Sequence, residues 1–506
     1  MEVKLAGFNV DRDAINELKK EYPSSKILNN LTPETICASY ARISRDPRSI
    51  SELRADARKD IEASRKSNRA IIFTMGHKSI AEHARFNFDI TGISRRAVEE
   101  IEQNRLDSYT EKSQRYITME GDFVLPKEIQ NTPLEPKFIE LVELQNNFYK
   151  KNLGKITDWH HKQDYSELYK TVNAETPEKQ KGVREGLGKE DARYSLSLAT
   201  QAQLGMTISA RTLETLITRL RSSNNEEVKE IGEKLFNEVD GIAPSVIKYT
   251  QPSDYFAKTR LELKDFVFYV IEDNWKHLKL DELEKEIPRA KLFRNIKRDD
   301  SIIAGLIFSS SNLSYNNCLR IVKWGMNLEE KMELLNRTMS YQEKHDPMLR
   351  EYELGDRIAE MTMSSSAFAQ MKRHRMNTLI SQDYNPLLGF TTPESIIQVG
   401  LNKELEDIIE KSVKLYNEIS QVVCPISVAE YALTNANRRR VLLDANNRQA
   451  HAFCMERENL AAQWDIRKTA KEYHEELQWA FGDSPLTTRA LCGKHEFYEV
   501  KNRLSD

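Results

Sequence analysis

The sequence predicts two homologous, helix-rich domains in tandem, each with a few short strands set among its helices. Three observations predict this. At 506 residues the chain is too long for one ordinary core, so two domains are the expectation. Apolar residues make up 39% and charged residues 30%, a balance that suits a soluble globular chain rich in helix. Two motifs also recur in the same order. Arg105 and Arg375 occupy one slot (375 − 105 = 270), and ISARTLETL at Ile208–Leu216 matches ANNRQAHAF at Ala445–Phe453 (446 − 209 = 237). The offset shrinks because the first copy carries extra sequence between its motifs. The expected boundaries are a first domain over 1–250, a linker over 251–262 that overlaps TQPSDYFAKTR at Thr250–Arg260, and a second domain over 263–506.

Taken in order, MEVKLAGFNV alternates like an edge or first strand, and Thr32-Pro33-Glu34 marks a helix start by a cap followed by proline. Ser51–Met75 reads as one long charged helix, FNFDI at Phe86–Ile90 as a strand and Ser94–Asn104 as a helix. A polar turn covers Ser108–Arg115, and 126–190 reads as more helix and polar connection, with a break at Thr176-Pro177 and a helix end at Gly186-Leu187-Gly188. ARYSLSLATQAQLG is expected as helix, leading to MTISART as a strand or turn and a further helix to Asp240. The pattern then restarts, with DFVFYVIE at Asp265–Glu272 as a first strand and an apolar helix around SIIAGLIFSSS.

Several function classes are disfavoured. The net charge is −3 with both signs mixed, so nucleic acid is not an expected partner. There is no run of eighteen apolar residues and no apolar signal core in MEVKLAGFNVDRD, so the expectation is a cytoplasmic protein with no membrane span. Cys37, Cys318, Cys424, Cys454 and Cys492 are scattered without any CxxC pair and read as buried free thiols. His77 and His83 bracket an acidic residue, but their spacing is not that of a helical zinc pair, and no metal is expected. His160, His161, His345 and His474 read as structural. Without GxGxxG or GxxxxGK[ST], any dinucleotide must be held by side chains.

Two clusters carry candidate chemistry. Gln370, Arg373 and His374 lie at i, i+3 and i+4 and would share a helix face, with Arg375 beside them. That concentration of donors suits phosphate or an electron-rich ring. Ser113 and Arg115 flank Gln114 and can close on one phosphate, while Glu111 can accept from a ring N–H. A nucleotide phosphate carries about two charges, so a second arginine is expected, with Arg193 in EDARY the candidate.

Together these residues resemble a family. GHKSIAEHARFNFDI, the Gln370–Arg373–His374–Arg375 group, the Ser108–Glu111–Ser113–Arg115–Tyr116 turn and the late Asn446, Arg448, Arg457 and AQWDI block are similar to flavin-dependent thymidylate synthase. The resemblance implies an α/β (α+β) fold with a small, mainly antiparallel sheet in each domain. It implies an FAD enzyme that makes dTMP from dUMP with methylenetetrahydrofolate and NADPH, and active sites shared across four subunits. Neither half is complete. In the first half the basic triplet is Gln103-Asn104-Arg105, and Leu220 stands in the slot of Arg457. In the second half Thr378, Ser381, Asp383 and Asn385 replace the phosphate-side residues, and Glu430 fills the slot of Arg193.

The resemblance therefore implies a composite site and a homodimer that mimics the family tetramer. Gln370, Arg373 and Arg457 would serve the base, and Glu111 would lie near it. Ser113, Gln114, Arg115 and Arg193 would hold the phosphate. His374, Arg375, Asn446 and Arg448, with Ser44, Ser79 and Glu82, would hold FAD, and His77 joins Arg373 and Arg457 as catalytic. A sibling flavoenzyme acting on another pyrimidine nucleotide, or a flavin- or nucleotide-binding protein without catalysis, are the alternatives.

Overall fold

Four strands, β1 (Glu2–Phe8), β2 (Arg85–Ser94), β3 (Ser108–Glu111) and β4 (Gln201–Ser209), form an antiparallel sheet in the order β1-β2-β4-β3. In β2 Phe86, Phe88 and Ile90 are buried while Arg85, Asn87 and Asp89 are exposed, the period-two pattern of a sheet with one face on a core. Leu213, Leu216, Ile217 and Leu220 of the helix Ala210–Arg221, with Ile231 and Leu235 of Glu226–Val239, cover that face. The computed structural model describes residues 1–10, 16–18, 20, 31–43, 46–104, 106–278, 287–293, 298–341, 349–354, 358–423 and 425–481, without the side chains of 275–277, 298, 299, 332, 339, 352, 447, 448, 451 and 479–481. No helix among the described residues is long and apolar enough to cross a membrane.

The chain separates into two compact units, Met1–Lys112 with Gln201–Ala257, and Ser113–Thr200 with Lys258–Asp506. The segment Ser113–Thr200 thus belongs with the second half of the sequence, a grouping that contiguous domains over 1–250 and 263–506 do not contain. The expected linker is helical from Asp254, within Asp254–Leu278.

In the first unit the helix Glu34–Arg42 begins where Thr32-Pro33-Glu34 predicts. The long helix expected over Ser51–Met75 is three pieces, Ile50–Lys59, Ile61–Asn68 and a π-helical turn at Arg69–Thr74. Asp60 breaks it, because its backbone is extended and its carboxylate accepts the Ala63 N–H at 2.9 Å, capping a new helix. Cys37 is buried, and burial, with Glu34 adding, pushes its thiol up to about 12. Cys318 and Cys454 are likewise buried and free, while Cys424 and Cys492 lie outside the described residues.

The second unit holds a second antiparallel sheet of β5 (Ala290–Phe293), β6 (Ile358–Ser364), β7 (Thr378–Ser381) and β8 (Arg438–Asp444). Its order, β5-β6-β8-β7, repeats that of the first sheet, so the fold is helix-rich α+β with one small antiparallel sheet in each unit. All seven residues of β6 are buried. Ile358 packs with the helices Asp254–Leu278 and Arg298–Ser309, while Met361 and Met363 pack with Phe453 and Tyr473 on the other face.

Other expected elements differ: Ser108–Glu111 is not turn but a strand, because it pairs with β4, and the helix expected to end at Gly186-Leu187-Gly188 runs over Pro177–Ala192. DFVFYVIE is not a strand but part of Asp254–Leu278, where Leu263, Val267 and Val270 recur at i, i+4 and i+7 and are all buried. ARYSLSLATQAQLG is a 3-10 turn at Arg193–Ser195 followed by extended chain. Tertiary pairing overrides its helical composition, because Leu198 donates its N–H to the Leu433 carbonyl at 2.8 Å and Asn435 donates to Leu196 at 2.9 Å. Ser197 pairs with Thr434 between them.

These three contacts obey one relation: 435 − 198, 433 − 196 and 434 − 197 all equal 237. Each segment does to the other what the other does to it. That is the self-complementary contact of a twofold interface between identical subunits, here within one chain. Gln145, from the helix Leu134–His161, adds hydrogen bonds to Ser412 Oγ at 2.8 Å and to the Ala432 carbonyl at 3.0 Å.

The helix Pro177–Ala192 packs on Leu134–His161 through Gly188, where a Cβ would lie 2.2 Å from Thr157 Oγ1 and 3.0 Å from its Cα. Gly188→Ala is expected to destabilise the protein by about 1–3 kcal/mol. Gly182→Ala on the same helix, with nothing within 4 Å, is expected to stabilise it by about 1 kcal/mol. Denaturant midpoints of the two variants check the contrast, and equal shifts would refute this packing.

Candidate active site

The second-half cluster is set by the turn that follows β6. Ser364 caps the helix Ser365–Met371, its Oγ accepting the Ala367 N–H at 3.1 Å, and all seven helical residues are buried. The helix stops at Met371, so Arg373, His374 and Arg375 do not share a helix face with Gln370 as the spacing suggested. They lie in the turn beyond it, where His374 donates its N–H to the Met371 carbonyl at 3.0 Å.

Arg457, the last residue of the helix Asn447–Arg457, reunites them. Its Nε donates to His374 Nε2 at 2.7 Å and its Nη1 to Gln370 Oε1 at 3.3 Å, while Nη2 lies 3.5 Å from Glu456. Because arginine only donates, His374 Nε2 must offer a lone pair, and the ring proton sits on Nδ1. Burial, reinforced by the Arg457 charge, lowers the His374 pKa to about 3 and keeps the ring neutral. Burial also lowers the Arg457 pKa. Glu456 opposes that shift, whereas Arg373 and Arg115 add to it, so three guanidinium groups feel one another here.

A folded pKa below the ordinary histidine value of 6.5 fixes a sign. The unfolded ring takes a proton that the folded ring refuses, so this stability is complete above 6.5 and is lost as pH falls toward 3. His374→Gln is expected to flatten that acid limb. Urea midpoints at pH 4 and pH 7 measure it, and an unchanged difference between them refutes the assignment.

The phosphate-side cluster comes from the first half of the sequence but lies in the second unit. Ser113 Oγ accepts the Arg115 N–H at 3.2 Å, which closes the turn. Gln114 is buried, with Oε1 accepting from Asn435 Nδ2 at 2.9 Å, and Asn435 also reaches the Arg193 carbonyl at 3.0 Å. Arg115 Nε is held by the buried carboxylate of Glu190, and Nη2 donates to the Ala461 carbonyl at 3.3 Å. Arg193 is buried beside them, its Nε donating to the Glu190 carbonyl at 3.2 Å.

One cleft of about 380 Å³ is bordered by Arg115, Gln370 and Arg457, with Glu456 and Asn459 at its wall. A residue from the first half of the sequence and two from the second therefore face one space. Arg373 is exposed and Arg375 half-buried in the adjoining turn.

Other expected residues belong to the first unit or serve the fold. Glu111 ends β3 in the first unit, opposite Leu204. His77 and Ser79 are exposed there around the 3-10 helix Lys78–His83, and Glu82 pairs with Arg211. Asn446 caps the helix Asn447–Arg457, accepting the Gln449 N–H at 3.0 Å and donating its own N–H to Gln449 Oε1 at 2.9 Å. Ser44 and the Arg448 side chain lie outside the described residues.

The second half's own phosphate slots are taken up structurally. Glu430, at the Arg193 slot (430 − 193 = 237), is buried and accepts the Tyr384 N–H at 2.8 Å. Asp383 pairs with Lys264 at 2.6 Å and Asn385 accepts the Leu387 N–H at 3.0 Å. Sequence reasoning missed Glu190, Asn435 and Glu456. Glu190 was the most visible of these, a carboxylate three residues before Arg193 in EDARY.

Comparison with known proteins agrees with this two-part construction. The family model described as "Thymidylate synthase complementing protein" matches residues 26–245 and again 302–481. A flavin-dependent thymidylate synthase of Clostridium tetani is 29% identical over 227 residues, covering 44% of this chain and 83% of that one. A UPF0159 protein of Thermoplasma acidophilum is 21% identical over 474 residues, covering 88% and 92%. Among solved structures, a UMP/dUMP methylase of Streptomyces cacaoi is similar at 16% identity and TM-score 0.33, covering 49% of this chain and 93% of that one. The flavin-dependent thymidylate synthase of Helicobacter pylori complexed with FAD and dUMP follows at 20% and 0.28, covering 50% and 100%. The chain belongs to the thymidylate synthase complementing protein family, that of the flavin-dependent thymidylate synthases, and carries the family pattern in both halves.

Proposed function

We propose that the chain is a cytoplasmic flavin-dependent thymidylate synthase, converting dUMP to dTMP with methylenetetrahydrofolate as carbon donor and NADPH as reductant of FAD. The observation that carries this reading is the cleft in which Arg115 meets Gln370 and Arg457. Two chains would form a homodimer that stands in for the family tetramer.

In this reading Arg115, braced by Glu190, takes the phosphate with Ser113, Gln114 and Arg193, and Arg373 meets the base beside Arg457. Gln370 and Arg457 orient the uracil ring, and the Arg457 charge stabilises negative charge that develops on its carbonyl oxygens. The neutral His374 takes no proton from substrate, because its Nε2 lone pair is spent on Arg457. It fixes the direction of that guanidinium.

The donor set around His374 fits an anionic dinucleotide, since Arg373 and Arg375 present two cations in one turn. Arg375 and Arg448, with Asn446, would hold FAD, which supplies hydride when bound.

The test is tritium release from 5-labelled dUMP with FAD, NADPH and methylenetetrahydrofolate. Release that requires all three supports the reading, and abolition by Arg373→Ala supports the base assignment. Flavin binding without tritium release would favour a sibling flavoenzyme.

A further inference from the structure

The helix Pro177–Ala192 carries three glycines, and only Gly188 has a packing reason. A Cβ at Gly182 would meet nothing within 4 Å, and one at Gly186 only ordinary contacts at 3.9 and 4.0 Å. Helix-interior glycines cost about 1 kcal/mol each against alanine. Two of them four residues apart on one face leave room beside the backbone. That room is a second cleft, of about 460 Å³. Arg115, Ala461 and Ala462 border it as well as the first, but Gln370 and Arg457 do not.

Its walls are built rather than incidental. Trp464 and Tyr165 line it with aromatic rings, and its charged lining is Arg115 and Arg467 with Asp164, Glu167 and Glu190. Trp464 is fixed by its Nε1–H on Asp191 Oδ1 at 2.8 Å and by stacking on Tyr194 at 5.6 Å. Burial lowers the Arg467 pKa. Glu190 opposes the shift and Arg115 adds to it, so an anion here relieves a strained charge.

Tyr165 ends a buried relay. Its Oη lies 2.6 Å from His160 Nδ1, and His160 Nε2 lies 3.0 Å from Asp191 Oδ2, which also accepts the Ser395 hydroxyl. Nε2 faces the acceptor-only Asp191 carboxylate and donates to it, which leaves Nδ1 to accept the Tyr165 hydroxyl. The phenol oxygen of this cleft-lining residue then keeps lone pairs for a further donor. Neither His160 nor Tyr165 has a part in the nucleotide chemistry above.

We propose that this cleft is an effector site for a planar aromatic acid that bears a ring N–H. The ring lies along the Gly182–Gly186 backbone beside Trp464, the acid pairs with Arg467, and the N–H donates to Tyr165 Oη. Because Arg115 borders both clefts, occupancy of this one weakens nucleotide binding, and nucleotide weakens the effector by the same factor. That coupling rests on the proposed nucleotide function; binding of the acid does not.

The test uses the full chain with indole-3-acetate and its uncharged amide as probes in isothermal titration. The acid is expected to bind at least tenfold more tightly than the amide, and Arg467→Gln to erase the preference. Gly182→Leu, which fills the cleft, is expected to cost at least tenfold in acid affinity while the thermal midpoint does not fall. Saturating acid should raise the Kd for dUMP severalfold. Equal binding of acid and amide, or full affinity in Gly182→Leu, overturns the site. An unchanged Kd for dUMP overturns the coupling, whereas a chain that binds the acid but no dUMP supports the site and removes the nucleotide reading.

Discussion

An Arg457→Ala chain is expected to lose about 10²–10³-fold in kcat for dUMP turnover, the cost of removing one charge from a preorganised site. The guanidinium is largely buried, and its fixed partners, His374 and Gln370, are both neutral. Its positive charge is therefore oriented but not cancelled by either, which leaves it available to a ring that becomes negative as it reacts. Glu456 draws off part of that charge from the exposed side. Lysine is expected to restore little, since one ammonium cannot reach His374 and Gln370 while also facing the cleft. Steady-state tritium release separates the contributions. A raised KM with unchanged kcat would reduce Arg457 to a ground-state contact.

An Arg115→Ala chain is expected to fail in two ways at once. The phosphate loses its clamp, so KM for dUMP rises by about 10²-fold, the order of a lost charge-assisted contact. The Glu190 carboxylate, 2% exposed, loses the guanidinium that holds it. An uncompensated buried charge destabilises by about 3–5 kcal/mol. Adding Glu190→Gln to Arg115→Ala is expected to recover most of the stability and none of the activity. Denaturant midpoints beside KM values for the single and double variants make the separation. The same geometry sets a complementation result. Arg115 and Arg457 border one cleft within a single chain, so mixing Arg115→Ala chains with Arg457→Ala chains is expected to restore nothing. Recovered activity in the mixture would mean that the working site is completed between chains.

The sequence by itself determined that the family pattern occurs in both halves, the strands β1 and β2, and that Arg115, Gln370 and Arg457 are residues to watch. These are carried by local signals: period-two burial in FNFDI, offsets of 270 and 237, and side chains of fixed donor chemistry. Only the tertiary structure decided which parts of the two halves associate. Ser113–Thr200 groups with the second half because the chain around Ser197 and Thr434 pairs reciprocally, a match of backbone donors and acceptors that no local periodicity encodes. It also decided that DFVFYVIE is helical, since its apolar run suits either period until Leu263, Val267 and Val270 find one core. The partners of Glu190 and Asn435 were illegible for the same reason. A carboxylate or amide in isolation shows no partner, and burial against Arg115 and Gln114 comes only with the fold.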